Sequence, residues 1–224
     1  MGTSVQTAAA RAAEENPLLV AIGRWIAANR QKALAIAGAL VIVIVLLAWN
    51  TLSARQTEQA AGVRLNAARL AFDSRNYPLA ASELSQVVEN YSGTRAAQEA
   101  NILLAQSRLQ QGQSQQAIEL LKRFAPRADA AFRAQAYGLL GAAYDNVGHP
   151  KEAAEAYQQA ADAAQLPFLK AQFLTEAGRA WVAVGDTAKA VQAYRTVVAQ
   201  NDSAAMMVAG EAKVRLGELT KGVR

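Results

Sequence analysis

Hydrophobic and polar positions follow two regimes along this chain. From Ala33 to Trp49, 17 consecutive residues carry no charge, amide or hydroxyl. Beyond residue 53, apolar positions recur at helical spacing between short polar turns. A bilayer core about 30 Å thick needs roughly 17 to 25 apolar helical residues. The first run, extended by Asn50, Thr51 and Leu52, therefore predicts a membrane-spanning helix over 33–52. A core helix of a soluble protein would keep a polar side, which Val-Ile-Val-Ile-Val-Leu-Leu lacks. A cleaved signal is disfavoured as well, because the run exceeds the usual ~7 to 15 apolar residues. The following "NTLSARQ" also offers no small-x-small cleavage site.

The flanks refine this anchor. Arg24, Arg30 and Lys32 precede the run, whereas Arg55, Arg64 and Arg69 follow it. The nearest charges favour an N-terminus on the cytoplasmic side. Trp25, Arg30, Lys32 and Trp49 are the candidate membrane-interface residues. Asn16 as N-cap and Pro17 at the first helical position open a predicted amphipathic helix over 16–32. Its stripe of Leu18, Ile22, Trp25 and Ile26 suits an interface, or else a neighbouring subunit. Residues 1–15 read as a flexible polar tail. Within the run, Ala35, Gly38 and Ala39 give a small-residue face suited to a partner helix.

From residue 53 to 224 one pattern repeats four times. A small residue (Ala68, Ala105, Gly141, Gly178) is followed seven positions later by a turn at 75, 112, 148 and 185. Five positions beyond each turn stands Ala80, Ala117, Ala153 or Ala190, and four further on Leu84, Leu121, Tyr157 or Tyr194. Two antiparallel helices approach closely only where side chains are small, so the Gly and Ala positions mark crossings. Glycine at the turn supplies the positive φ that ends a helix, and Pro78 and Pro150 suit the first turn of the next. Hairpins of this kind cannot bury their apolar faces alone, so they stack. The tail around "GEAKVRLGELTKG" keeps the phase, with Gly222 37 residues after Gly185, and predicts an unpaired capping helix.

Composition removes most chemistry. Alanine-rich sequence with 6% aromatic residues and five prolines indicates an all-α fold. There is no cysteine and a single histidine, so thiolate sites, disulfides and ordinary zinc sites are excluded. His149 falls in the turn "VGHPKE", without a nucleophile or paired carboxylate at catalytic spacing. No phosphate-binding or dinucleotide fingerprint occurs. The net charge of +5 is dispersed: beyond residue 53 there are 19 basic against 16 acidic residues. A nucleic-acid binder would cluster its Lys and Arg. No cofactor, metal, nucleic acid or small-molecule substrate is expected, and the chain does not read as an enzyme.

The repeat spacing resembles the tetratricopeptide repeat family, the third copy most fully through Tyr137, Leu140, Gly141, Tyr144, Gly148, Ala153, Tyr157 and Ala160. Its period is two or three residues longer than the family's usual one. The resemblance implies a helical-hairpin solenoid whose first helices line a groove for a protein partner. Carried across by phase, that groove holds Leu65, Arg69 and Phe72; Gln106 and Leu109; Gln135, Ala142, Asp145 and Asn146; then Gln172, Arg179 and Val182. Only Asn66 matches the Lys and Asn set with which some members clamp a C-terminal carboxylate, which disfavours that mode. The order of parts (tail, basic-aromatic stretch, anchor, repeats) resembles the YfgM family of ancillary subunits of the bacterial Sec translocon. That implies an inner-membrane anchor with the repeat domain in the periplasm. The expected function is thus a membrane-anchored, non-catalytic adaptor for the translocon or periplasmic chaperones. The alternative is a structural or assembly subunit of another membrane complex, such as a respiratory, photosynthetic or secretion assembly.

Overall fold

The computed structural model describes residues 17–200 and 206–220. Among them are ten α-helices, one 3₁₀ turn and no strand. The helices are α1 Pro17–Ala28, α2 Arg30–Asp73, α3 Tyr77–Asn90, α4 Arg95–Gln110 and α5 Ser114–Phe124. After the 3₁₀ turn Ala125–Arg127 come α6 Ala130–Asn146, α7 Pro150–Ala163, α8 Pro167–Val184, α9 Thr187–Val198 and α10 Met206–Thr220. The 1–15 tail, the Asn16 cap and Gly222 lie outside the described residues. Contacts divide the chain into two units, Met1–Gln56 and Thr57–Arg224.

In the first unit the helix expected over 16–32 starts at Pro17 and stops at Ala28. Asn29 interrupts it, its side-chain amide and backbone N–H both donating to the Trp25 carbonyl at 3.2 and 2.9 Å. A short side-chain amide that competes for a helix carbonyl in this way favours an end over continuation. Arg30 and Lys32 consequently open α2, and Leu18, Ile22, Trp25 and Ile26 are all exposed on α1. Helix α2 is long and apolar enough to cross a membrane. From Leu34 to Leu52 its large apolar side chains are exposed on every side, Trp49 among them. The same helix runs on to Asp73, so the apolar segment and the first repeat helix are one element of 44 residues. No proline or turn sequence interrupts it.

In the second unit four hairpins stack: the distal part of α2 with α3, through one shared core cluster, then α4 with α5, α6 with α7, and α8 with α9. All four expected turn positions adopt positive φ, at 59° for Arg75, 72° for Gly112, 73° for Gly148 and 85° for Gly185. Helix entries are capped by side chains, with Asn76, Thr94 and Asp186 each accepting a backbone N–H three residues on. Pro78 and Pro150 take the first turns of α3 and α7.

The crossings follow the pattern. Ala80, Ala117, Ala153 and Ala190 are fully buried, as are their large neighbours Leu84, Leu121 and Tyr194, with Tyr157 nearly so. Where the crossing residue is glycine the opposing side chain is tyrosine. A Cβ on Gly141 would stand 2.6 Å from the Tyr157 ring, and one on Gly178 would stand 2.7 Å from Tyr194. Here glycine is required by space. Helix α10 closes the stack, burying Ala209 and Ala212 against the last hairpin.

Candidate protein-binding surface

The predicted groove residues sit on the first helix of each hairpin, at fixed distances before the turn. Arg69, Gln106, Ala142 and Arg179 precede it by six, and Phe72, Leu109, Asp145 and Val182 by three. Thirteen before lie Gln135 and Gln172. This register is solvent-accessible throughout, partly for Phe72, Gln106, Leu109 and Asp145 and fully for Gln135, Asn146, Gln172 and Arg179. Leu65 is a correction. It precedes its turn by ten, a position buried in every repeat (Leu65, Ile102, Gly138 and Thr175), and it belongs to the first core cluster. In helical projection it falls between the registers three and six before the turn, so phase alone places it on the accessible stripe, and packing within the first core cluster buries it.

The charged members of the face already have partners. Arg69 on α2 is ion-paired with Glu99 on α4. The Arg179 guanidinium donates to Asp145 at 2.8 Å and to Glu176 at 2.7 Å, bridging α6 and α8. Tyr157, on α7, donates its hydroxyl to the same Asp145 oxygen at 3.1 Å. Burial, reinforced by the Asp145 and Glu176 carboxylates, pushes the Tyr157 phenol up. Partial burial opposes the charge on Arg179, but the Glu176 hydrogen bond and charge, then Asp145, outweigh it and hold the guanidinium above its ordinary value. Glu99, Glu176 and the Tyr157 hydroxyl are not among the residues predicted for this surface. For Glu99 the only signal is a complementary charge about one repeat away, whereas Glu176 stands at the local i,i+3 spacing from Arg179 that sequence alone could have flagged.

The amides behave differently. Among the described residues, the side chains of Gln106, Gln135, Asn146 and Gln172 make no hydrogen bond within the chain. Their donors and acceptors face solvent from successive first helices. Phe72 stands edge-on to Tyr77, centroids 5.6 Å apart, and Leu109 packs at the margin of the second-repeat core. At the far end, Arg179, Val182 and Tyr194 line a cleft of about 150 Å³ with Arg215, Glu218 and Leu219 of α10.

Two titratable groups outside this face, His149 and Glu58, are structural. His149 precedes α7, stacks on Tyr144 and lies 3.7 Å from Glu152. Among the described residues no group of His, Asp or Glu could hold a metal ion. The Glu58 carboxylate accepts the Arg95 and Ala96 N–H groups, both at 2.9 Å, and so occupies the N-terminus of α4 itself.

The comparisons agree with this geometry. Residues 53–168 match the model of a tetratricopeptide repeat-like domain, and residues 175–223 match a tetratricopeptide repeat. Among solved structures, MamA is 21% identical with a TM-score of 0.54, over 72% of this chain and 87% of that one. A Podosopora anserina protein of nearly identical TPR-like repeats is 20% identical with a TM-score of 0.55, over 74% and 92%. A Rap protein complexed with Competence and Sporulation Factor is 18% identical with a TM-score of 0.52. That match takes in 72% of this chain and 46% of the Rap chain. Such identities establish a shared fold. No curated protein matches the chain. The first match spans just over half of the 224 residues, and by it the chain belongs to the tetratricopeptide repeat-like family, whose repeats suggest a protein–protein interaction adaptor.

Proposed function

We propose that the chain is a membrane-anchored adaptor without catalytic activity, holding a protein partner on the first-helix face of its repeats. The observation that carries this reading is the row of unengaged amides at Gln106, Gln135, Asn146 and Gln172, beside the apolar Phe72 and Leu109. Primary amides matched to neither each other nor the backbone suit the alternating donors and acceptors of an extended peptide. Support for the anchor comes from α2, whose apolar side chains over 34–52 are covered by nothing in the described chain. Exposed apolar surface on that scale needs a lipid or protein environment.

In this reading the N-terminus is cytoplasmic, the repeats are periplasmic, and the partner belongs to the Sec translocon or to periplasmic chaperones. A weak groove contact gains from confinement at the membrane through effective concentration. Purification in mild detergent followed by mass spectrometry is expected to return those components. A reporter fused at residue 224 that is active only in the cytoplasm overturns the topology. The second reading, a fixed subunit of another membrane complex, is favoured by exposed Val63 and Leu70 on the first repeat. The equivalent positions, Ala100 and Ser107, Ala136 and Ala143, are buried by the preceding hairpin. A stoichiometric complex free of Sec components would decide for it.

A further inference from the structure

The side of α4 opposite the amide row carries a different chemistry. Between α3 and α5, floored by α4, lies a cleft of about 590 Å³, within the range of ligand sites. Arg108, Arg123 and Arg127 line it, and none of the three forms an ion pair. Each is instead steadied by one hydrogen bond to a main-chain carbonyl: Arg108 to Gln116 at 3.0 Å, Arg123 to Glu119 at 3.2 Å, and Arg127 to Arg123 at 3.0 Å. A guanidinium has five N–H donors, so most remain unused. One carboxylate, Glu89, lines the same cleft and is unpaired.

The other repeats supply a built-in control. The same cleft recurs between α5 and α7 and between α7 and α9. The floor position held by Arg108, four residues before the turn, is Tyr144 and then Trp181 in those copies. The wall position of Arg123, eleven after the turn, becomes Gln159 and Thr196. An aromatic floor has thus been replaced by a partly buried guanidinium in one repeat only. Burial and the nearby positive charge of Arg123 depress the Arg108 guanidinium, partly offset by Glu119. Arg123 and Arg127 are exposed and Arg108 is half-buried beside them without an ion pair, so a carboxylate ligand would relieve their mutual repulsion.

We infer that this cleft binds an acidic peptide segment of a protein partner, its Asp or Glu carboxylates seated on Arg108, Arg123 and Arg127. Arg123 on α5 and Arg127 in the following 3₁₀ turn are four residues apart, and Arg108 projects from α4. That spread fits successive carboxylates along a chain better than one compact anion, and guanidinium–carboxylate pairs are strong and directional. Apolar Val88, Leu104 and Phe124 beside the arginines give the peptide's aliphatic stems a surface. The inference does not depend on the anchor or on the amide row.

The test is fluorescence anisotropy of a labelled Glu-rich octapeptide titrated with the full chain in detergent. Its Gln-rich counterpart and inorganic phosphate serve as competitors, and nanodiscs with and without anionic lipid are run in parallel. The Glu peptide should bind, the Gln peptide should not compete, and affinity should fall with salt. Arg123→Gln with Arg127→Gln, both exposed, on α5 and the 3₁₀ turn that follows it, should weaken binding about tenfold or more with unchanged circular dichroism. Arg108→Gln should do the same, whereas Arg195→Gln on the last hairpin should not. Unchanged affinity in the arginine variants overturns the inference. So does full competition by phosphate, or a loss confined to anionic nanodiscs, which would make the site a lipid-headgroup site. None of these outcomes bears on the Sec pull-down, so the two readings fail separately.

Discussion

The first two hairpins and the last two solve the same crossing with opposite pairs of side chains. In repeats one and two, alanine (Ala68, Ala105) meets leucine (Leu84, Leu121). In repeats three and four, glycine (Gly141, Gly178) meets the tyrosine ring of Tyr157 or Tyr194. Volume is conserved across the contact, as close packing demands. The tyrosine solution adds a hydroxyl at the edge of the core, and in repeat three that hydroxyl reaches Asp145 and joins the accessible face. The difference therefore extends from packing to polarity.

The largest effect expected from breaking the contrast is at Gly141. Gly141→Ala should destabilise by about 2 kcal/mol, because a buried ring has no room to retreat. Adding Tyr157→Leu, which converts the crossing to the alanine–leucine type, should recover most of the loss in chemical denaturation. Additive losses would sink the volume account. Next comes Asp145→Asn, which weakens the hold on both Tyr157 and Arg179. It should cost about 1 kcal/mol, against less than about 0.5 for Glu99→Gln, whose carboxylate holds the single partner Arg69. Arg75 is the one described non-glycine residue with positive φ. Arg75→Gly should leave stability unchanged or raise it by up to about 1 kcal/mol in a thermal melt, the relieved strain set against greater freedom in the unfolded chain.

Much of this was legible because hairpin stacking leaves a period in the sequence. Turn residues, crossing alanines and the capping helix all repeat, and repetition makes them visible. Leu65 went astray because helical phase alone places it on the exposed stripe, and only the burial it shares with its equivalents Ile102 and Thr175 takes it off. The continuity of α2 was hidden by dividing the chain on hydropathy, although nothing between residues 33 and 73 breaks a helix. The arginine cleft draws on three helices and leaves no contiguous motif.

A smaller contrast concerns pH. The Tyr157 phenol is raised by burial and by Asp145, so the folded state holds the proton more tightly than the unfolded chain. Its contribution is complete below the ordinary tyrosine range near pH 10 and is lost as pH rises beyond it. Tyr157→Phe should flatten that alkaline fall in stability, measured as denaturation midpoint against pH.

The chain holds three tryptophans, and only Trp181 lies beyond residue 53. It is nearly buried in the last hairpin, with the Lys189 ammonium 4.0 Å above its ring. With Trp25 and Trp49 replaced by phenylalanine, intrinsic emission would report the fourth repeat alone while far-ultraviolet dichroism reports every helix. A stack held by nearest neighbours unfolds as one unit or frays from an end, and this single indole provides an optical clock for the difference.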